Sequence, residues 1–320
     1  MIVKSPYKKG RLCLDNRLVM ASLNCHKAGE DGKVTKETIE WYRERGKGLG
    51  MVILEHSAVS RWDRPTDRVL CIDEDSDIPG LCLLTDALHR EGTRVQIQLD
   101  HGGGWLSSEL RWKEQAQKRV TDELTDEQLS QVVRDFAEAA VRAEKAGFDG
   151  VQIKACHFYM LAQFYSPLTN HRRSGRYAGT TFESRFQLIL DVIQAVRRAV
   201  SADLAVSVRF PIEDFDPAGC TVEECIRAAA IMKEQGVDLL DLSGGPKYSY
   251  VHPYSKEPGW FGDSARRVRE SVDIPLLITG GIRTVRQAED ILAAGKADLI
   301  GVGRAVMEDE QWGRKAIHGE

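Results

Sequence analysis

The feature that most constrains the fold is an alternation of short apolar runs with amphipathic stretches along the 320 residues. Short apolar runs bounded by turn signals are typical of strands that are buried on both faces of a parallel sheet. The eight runs that we predict as strands are Leu18–Leu23, Met51–Leu54, Val95–Leu99, Val151–Ile153, Leu204–Val208, Leu239–Leu242, Pro275–Ile278 and Leu299–Val302.

Helix signals lie between most of these strands. Thr35 and Thr125 read as N-caps of amphipathic helices, and Thr221-Val-Glu-Glu reads as a capping box. Eight strand and helix units in succession predict a closed (β/α)₈ TIM barrel of the α/β class. An open doubly wound sheet is the alternative, but it usually shows Gly-x-Gly-x-x-Gly after its first strand, and this chain has none there.

Composition and charge narrow the classes of partner. The chain is 42% hydrophobic and 29% charged, with a net charge of −4, which argues against a nucleic-acid partner. No apolar run reaches the length of a membrane span, and the N-terminus lacks a signal-peptide core, so we predict a cytoplasmic protein.

No linker divides the chain, and we predict one domain over residues 1–320. The seven cysteines form no Cys-x-x-Cys pair, so no metal site is predicted.

Three polar side chains follow the fourth predicted strand. Lys154, His157 and Tyr159 come at or just after its C-terminal end, where ligands bind in parallel α/β proteins. Residues two apart along a strand point to the same face, so a continued strand would place His157 and Tyr159 together. The sequence therefore predicts a cluster of hydrogen-bond donors at this strand end.

Glycines follow the last two predicted strands. Gly280 and Gly281 come after the seventh strand, and Gly303 and Arg304 after the eighth. Barrels often bind phosphate with these two loops, because glycine lets backbone N–H groups approach the oxygens and arginine adds a charge-assisted contact. Glycines also end strands that bind nothing, but two such loops together predict a ligand that carries a phosphate.

Several motifs in order along residues 5–315 resemble one family. They are the stretch at 146–170, the two phosphate loops, Asn16-Arg-Leu-Val-Met-Ala-Ser-Leu, Asp31-Gly, Gln96-Ile-Gln-Leu-Asp-His-Gly-Gly and Val206-Ser-Val-Arg. Together they resemble the old yellow enzyme family of FMN-dependent ene-reductases. The resemblance implies FMN as cofactor, NADH or NADPH as reductant, and a small-molecule substrate with an electron-poor C=C bond.

The resemblance also implies roles for individual residues. Tyr159 would give a proton to the substrate, while His157 and Lys154 would hold its carbonyl or nitro oxygen. The positions implied for FMN are Ser22, Leu23, Asn24, His56, Gln98, Arg209, Gly245, Gly280, Gly281, Gly303 and Arg304. His56 stands where the family usually has a small residue, so it either contacts the ligands or packs.

Lys154 departs from the family, which has an imidazole or amide donor there. Its ammonium would favour an anionic substrate group such as a carboxylate, or else it is an ion-pair partner that points away from the site. The aromatic residues Tyr248, Tyr250, Tyr254 and Trp260 form either a lid over a planar substrate or packing on the barrel rim.

Other functions stay open on the sequence. A flavoprotein of this kind could oxidise amines or reduce tRNA uridine, although the negative net charge weighs against the latter. A non-catalytic flavin-binding subunit is a third class. Longer relatives continue beyond this point with further domains, so the chain is either a single-domain enzyme or a fragment of a larger one, and it could form a homo-oligomer.

Overall fold

The structure is a computed structural model that describes residues 1–60, 64, 68–103, 120–157, 159–245 and 257–319. Tyr248, Tyr250 and Tyr254 of the predicted lid lie outside them.

Eight parallel strands close into a barrel, as predicted. They pair in chain order, and the last strand pairs with the first to complete the ring. We number all strands along the chain, and a hairpin provides β1 and β2. The barrel strands are β3 Leu18–Met20, β4 Met51–Ala58, β5 Arg94–Asp100, β6 Gly150–Lys154, β7 Ala205–Pro211, β8 Leu239–Ser243, β9 Leu276–Thr279 and β10 Leu299–Val302.

Several strands run past the apolar segment that predicted them. β4 continues through Glu55, whose buried carboxylate accepts hydrogen bonds from the backbone N–H groups of Cys25 and Leu70. A buried carboxylate with such partners is tolerated inside a sheet, whereas a pattern of apolar residues ends before it. β4 is therefore longer than predicted because it contains a satisfied polar residue, whereas β3 ends at Met20, three residues before its predicted end.

Helices surround the barrel. They are α1 Lys36–Gly46, α2 Ile78–His89, α3 Val120–Glu123, α4 Asp126–Lys145, α5 Met160–Tyr165, α6 Phe182–Ala199, α7 Val222–Glu234, α8 Gly262–Ser271, α9 Val285–Ala293, α10 Arg304–Glu308 and α11 Trp312–His318. Thr221 caps α7, but Glu224 bonds Arg185 instead of completing the predicted capping box. No helix among the described residues has the length and apolar character to cross a bilayer.

A hairpin covers the N-terminal end of the barrel. Its antiparallel strands are β1 Tyr7–Lys9 and β2 Leu12–Leu14. Tyr7, Leu12 and Leu14 pack into one apolar cluster with the first residues of the barrel strands. The hairpin therefore covers the barrel core at this end, and ligand sites of such barrels lie at the opposite, C-terminal end.

The chain leaves β6 differently from the sequence expectation. The strand ends at Lys154, and His157 has a positive φ of 60°, in a turn. Tyr159 is then the N-cap residue of α5. The expectation that a continued strand would align His157 and Tyr159 is therefore wrong, because a left-handed residue turns the backbone between the strand and the helix.

Candidate cofactor and substrate site

A cavity of about 270 Å³ opens at the C-terminal end of the barrel. The loops after β3, β6, β8, β9 and β10 surround it, together with the end of β7. Its lining residues are Ser22, Leu23, His157, Arg209, Ser243, Gly244, Trp260, Phe261, Thr279, Gly280, Gly281, Ile282, Gly301, Gly303 and Arg304. We call the part formed by the loops after β9 and β10 the phosphate end.

Glycine backbone dominates the phosphate end. Gly280 and Gly281 have positive φ angles of 145° and 65°, a region that other residues rarely adopt. A Cβ on Gly280 would come 3.0 Å from the indole nitrogen of Trp260. The exposed Arg304 side chain adds a positive charge beside these glycines. Open backbone and a guanidinium suit the oxygens of a phosphate.

Thr279 is the last residue of β9 and also lies at the phosphate end. Its side-chain oxygen is buried, and no described residue bonds it. The atom would lie 1.9 Å from a Cβ on Gly301, so only glycine fits at that neighbouring position. A buried hydroxyl without a protein partner indicates that a ligand or water completes its hydrogen bonding.

A row of polar side chains crosses the barrel interior beneath the cavity. Ser22 bonds Gln98, Gln98 bonds Gln152, and Gln152 donates to Asp241. The Asp241 carboxylate lies 3.4 Å from Nε of Arg209, which lines the cavity. Burial raises the pKa of Asp241 to about 6, against the opposing effect of the Arg209 charge.

The loop after β6 forms what we call the donor end. The ring nitrogen Nε2 of His157 lies 2.9 Å from the Ser243 hydroxyl oxygen, at the end of β8. Burial lowers the pKa of His157 well below its usual value, and the charges of Arg209 and Lys154 add to this. The imidazole is therefore neutral at physiological pH.

Lys154 is enclosed by two neighbours at the donor end. Its ammonium lies 3.1 Å from Oδ2 of Asp100 at the end of β5, and 3.1 Å from the ring centre of Tyr159. The Tyr159 ring also lies 5.6 Å from the His56 ring, centre to centre. Burial lowers the pKa of Lys154, while Asp100 opposes this shift. Burial also lowers the pKa of His56, whose Nε2 atom is buried and bonds no described residue.

The structure brings most of the predicted residues to one cavity, but not all of them. Those that line it are Ser22, Leu23, His157, Arg209, Gly280, Gly281, Gly303 and Arg304. Those that do not line it are Asn24, His56, Gln98, Lys154, Tyr159 and Gly245.

Two of the predicted residues outside the lining have local roles. The side-chain oxygen of Asn24 accepts a hydrogen bond from the backbone of His26. Gly245 is glycine because a Cβ there would lie 1.9 Å from the Asp214 carboxylate. Neither contact requires a ligand.

Sequence reasoning did not assign four residues that shape the site. Ser243 and Asp241 contact the lining residues His157 and Arg209, whereas Asp100 pairs with Lys154, and Gln152 links Gln98 to Asp241. Polar residues inside otherwise apolar strands were the available signal, since such positions face the barrel interior or its rim.

Residues 4–320 match the sequence profile described as the NADH:flavin oxidoreductase / NADH oxidase family. The chain is 35% identical over 316 residues to an NADPH dehydrogenase of Bacillus subtilis, covering 95% of this chain and 91% of that protein. The chain belongs to this family. The predicted membership of the old yellow enzyme family is thereby confirmed.

Two other relatives are longer. The chain is 34% identical to an NADH oxidase of Thermoanaerobacter brockii and 34% identical to a metal reductase of Desulforamulus reducens. The two matches extend over 97% and 99% of this chain, but over only 50% and 49% of the respective relatives. The chain thus spans about half the length of these curated relatives.

Solved structures share the fold. A 2-naphthoyl-CoA reductase complex with 2-naphthoyl-CoA superposes with a TM-score of 0.90 at 21% identity, over 100% of this chain and 52% of that one. The old yellow enzyme of Trypanosoma cruzi gives 0.81 at 23% identity, over 100% and 92%. These matches confirm the predicted barrel.

Family membership implies FMN as the cofactor and NADH or NADPH as the reductant, as predicted. The residues present fit FMN. The glycine loops, the unpartnered Thr279 hydroxyl and Arg304 suit its phosphate. Ser22 and Arg209, which also line the cavity and hydrogen-bond each other, would contact the flavin ring.

Proposed function

We propose that the protein is an FMN-dependent ene-reductase, which passes hydride from NADH or NADPH to an activated alkene such as an enone, enoate or nitroalkene. The single observation that carries this proposal is the donor end beside the glycine loops: His157 lines the cavity, and Tyr159 follows it in the same loop. When bound, FMN supplies the hydride exchange between the nicotinamide and the alkene.

The residues of the chain have separate tasks in this reaction. A hydrogen bond from the Ser243 hydroxyl to Nε2 of His157 would put the ring proton on Nδ1, where it can be donated to the acceptor oxygen of the substrate. Tyr159 would give its phenolic proton to the α-carbon while the β-carbon takes the hydride. The Arg209 guanidinium would stabilise negative charge at the ring side of the cavity.

Anaerobic stopped-flow absorbance tests the proposal. The FMN-loaded protein is mixed first with NADPH or NADH and then with 2-cyclohexenone, a nitroalkene or an enoate. We expect the flavin absorbance to bleach in the first step and return in the second, with the saturated product recovered. A protein that takes up no FMN, or whose absorbance no acceptor restores, would contradict the proposal. Recovery with oxygen alone would favour an oxidase, in line with the NADH oxidase relative.

A further inference from the structure

The Lys154 ammonium has its counter-charge inside the protein. It lies 3.1 Å from Oδ2 of Asp100, and the two side chains are only 3% and 1% exposed. A buried ammonium is stable only when it is paired and hydrogen-bonded, because burial removes its hydration. Asp100 provides that pairing from the neighbouring strand β5, at the end opposite the hairpin.

The remaining side of the ammonium faces an aromatic ring. Its nitrogen lies 3.1 Å from the ring centre of Tyr159, a cation–π arrangement. Lys154 is not among the residues that line the cavity, whereas His157 and Arg209 are. Arg209 is directly opposite Lys154 in the pairing of β6 with β7. The ammonium is thus next to the cavity wall but directed to Asp100 and Tyr159.

The other ionisable groups around Lys154 come from several elements. They are His56 on β4, Asp100 on β5, Cys156 and His157 after β6, Arg209 on β7 and Asp241 on β8. Burial lowers the pKa of both histidines and raises that of Cys156 to about 11, so these three groups are neutral near pH 7. The neutral groups are the hydrogen-bonding side chains of the donor end, and both nearby cations already have a carboxylate partner, Lys154 in Asp100 and Arg209 in Asp241.

We propose that Asp100 is a specificity-determining residue: it holds the Lys154 ammonium in a buried ion pair and thereby makes the site select an uncharged acceptor group over a carboxylate. The inference rests on the proposed function and narrows its acceptors, favouring the uncharged enone and nitroalkene over the enoate. Ketone, amide and nitro oxygens accept hydrogen bonds from neutral donors, whereas a carboxylate in a buried site needs a cation that Asp100 does not already pair. Of the two roles that the sequence allowed for Lys154, the geometry points to the ion pair.

Benzamide and benzoate test this directly, because they have the same shape and differ in charge. Their dissociation constants are measured by titration calorimetry on FMN-loaded protein at about pH 6 and about pH 8, where benzoate is ionised. We expect the unaltered protein to bind benzamide at least as tightly as benzoate. In Asp100→Asn the ammonium loses its counter-ion, so the affinity ratio of benzoate to benzamide should rise about tenfold or more, most strongly at the lower pH.

Two further variants isolate the charge. Asp100→Glu keeps the carboxylate and should keep the preference for benzamide. The double variant Asp100→Asn with Lys154→Met removes both charges and should also lack the gain in benzoate affinity. An unchanged ratio in Asp100→Asn at both pH values, or an equal gain in the double variant, would contradict the inference. So would a tenfold preference of the unaltered protein for benzoate, a result that depends on no variant folding.

The outcome is separable from that of the proposed function. Flavin content is read from absorbance before each titration, and acceptor reduction is measured by stopped flow on the same preparation. A flavin-loaded protein that reduces no acceptor contradicts the proposed function. A protein that reduces 2-cyclohexenone, but whose affinity ratio of benzoate to benzamide does not change in Asp100→Asn, contradicts only the role of Asp100.

Discussion

The two ends of the cavity are built from different parts of the chain. The phosphate end consists of backbone from two consecutive loops, with glycines at positive φ and the exposed Arg304. The donor end consists of side chains brought together from β4, β5, β6 and β8, of which His157 and Ser243 line the cavity. A site made of backbone depends on local sequence, whereas a site made of side chains depends on partners that are remote in the chain.

The two ends also differ in what can titrate. The half-buried His56, the buried His157, an ammonium and a carboxylate surround Tyr159 or its neighbours at the donor end. The glycine loops at the phosphate end contribute N–H groups that do not change charge with pH. Changes at the donor end should therefore affect chemistry and pH dependence, and changes at the phosphate end should affect FMN affinity.

The largest effect is expected at the donor end, from Tyr159→Phe. Loss of the phenolic proton should slow acceptor reduction about a hundredfold or more, the usual contribution of a general acid. Flavin reduction by NADPH needs no proton from this residue and should keep its rate. The two half-reactions are measured separately by anaerobic stopped flow.

Tyr177→Phe is the matched control for that variant. Its hydroxyl bonds Asp191, 2.9 Å away, and its side chain does not line the cavity. We expect both half-reactions to stay unchanged in this control. Equal slowing of both half-reactions by Tyr159→Phe would count against a proton-donor role.

The sequence predicted the barrel because eight apolar runs are visible without any contact information. It did not predict the hairpin, whose strands are only three residues long, too short for an alternation that indicates a strand. It did not identify α2 either, since Pro79-Gly80 near its beginning reads as a turn. A strand can be as short as three residues, and a helix can have a proline in its first turn. Neither element, however, can be recognised before its tertiary packing is known.

The same contrast holds within the site. The glycines of the phosphate end and His157 were predicted where the structure has them, at the cavity. The pairing of Lys154 with Asp100 joins residues 54 positions apart, and that of His157 with Ser243 joins residues 86 apart. No local pattern specifies which side chains meet at such separations, so the role of Lys154 stayed open until the strands were placed.

At the phosphate end, Gly281→Ala should weaken FMN binding about a hundredfold, a loss of about 3 kcal/mol. The expected cause is that a Cβ hinders the approach of backbone N–H groups to the phosphate, and each such charge-assisted bond contributes about 1.5–3 kcal/mol. The affinity is measured by titrating apoprotein with FMN and following flavin fluorescence.

Gly295→Ala controls for the backbone conformation, because Gly295 has a φ of 68°, close to the 65° of Gly281. It lies between α9 and β10 and does not line the cavity. Both variants should lose stability by about 1–3 kcal/mol, since alanine is strained at this φ. If Gly295→Ala weakened FMN binding as much as Gly281→Ala, the phosphate contact would be refuted.

A smaller effect is expected from Ser243→Ala, which removes the hydroxyl that contacts Nε2 of His157. Without it, the imidazole loses one hydrogen bond that fixes its tautomer and orientation, and benzamide affinity should fall about tenfold, or about 1.4 kcal/mol. Calorimetric titration of the FMN-loaded protein gives the dissociation constant. FMN affinity should change less, because the phosphate end is untouched.

Ser207→Ala is the matched control, since its buried hydroxyl also bonds inside the barrel, to Gln96 and to the carbonyl of Val151. Each variant should lose about 1 kcal/mol of stability from a buried hydrogen bond. Only Ser243→Ala should weaken benzamide. Equal weakening in both would mean that the loss reflects general loosening of the barrel.

The smallest effect concerns the pH dependence of stability and the two histidines of the donor end, His56 and His157. Burial lowers the pKa of His56 and of His157 in the folded protein, so the unfolded chain takes up their protons first as pH falls. Their contribution to stability is complete above the unfolded pKa of about 6.5, and each should lose up to about 1 kcal/mol between about pH 6.5 and pH 5.5. Urea unfolding at these two pH values measures the loss.

In His56→Asn or His157→Asn the loss of stability should be smaller by that amount, whereas Gly281→Ala at the phosphate end should leave the loss unchanged. A pH dependence that neither asparagine variant reduces would mean that the donor end does not hold its histidines neutral.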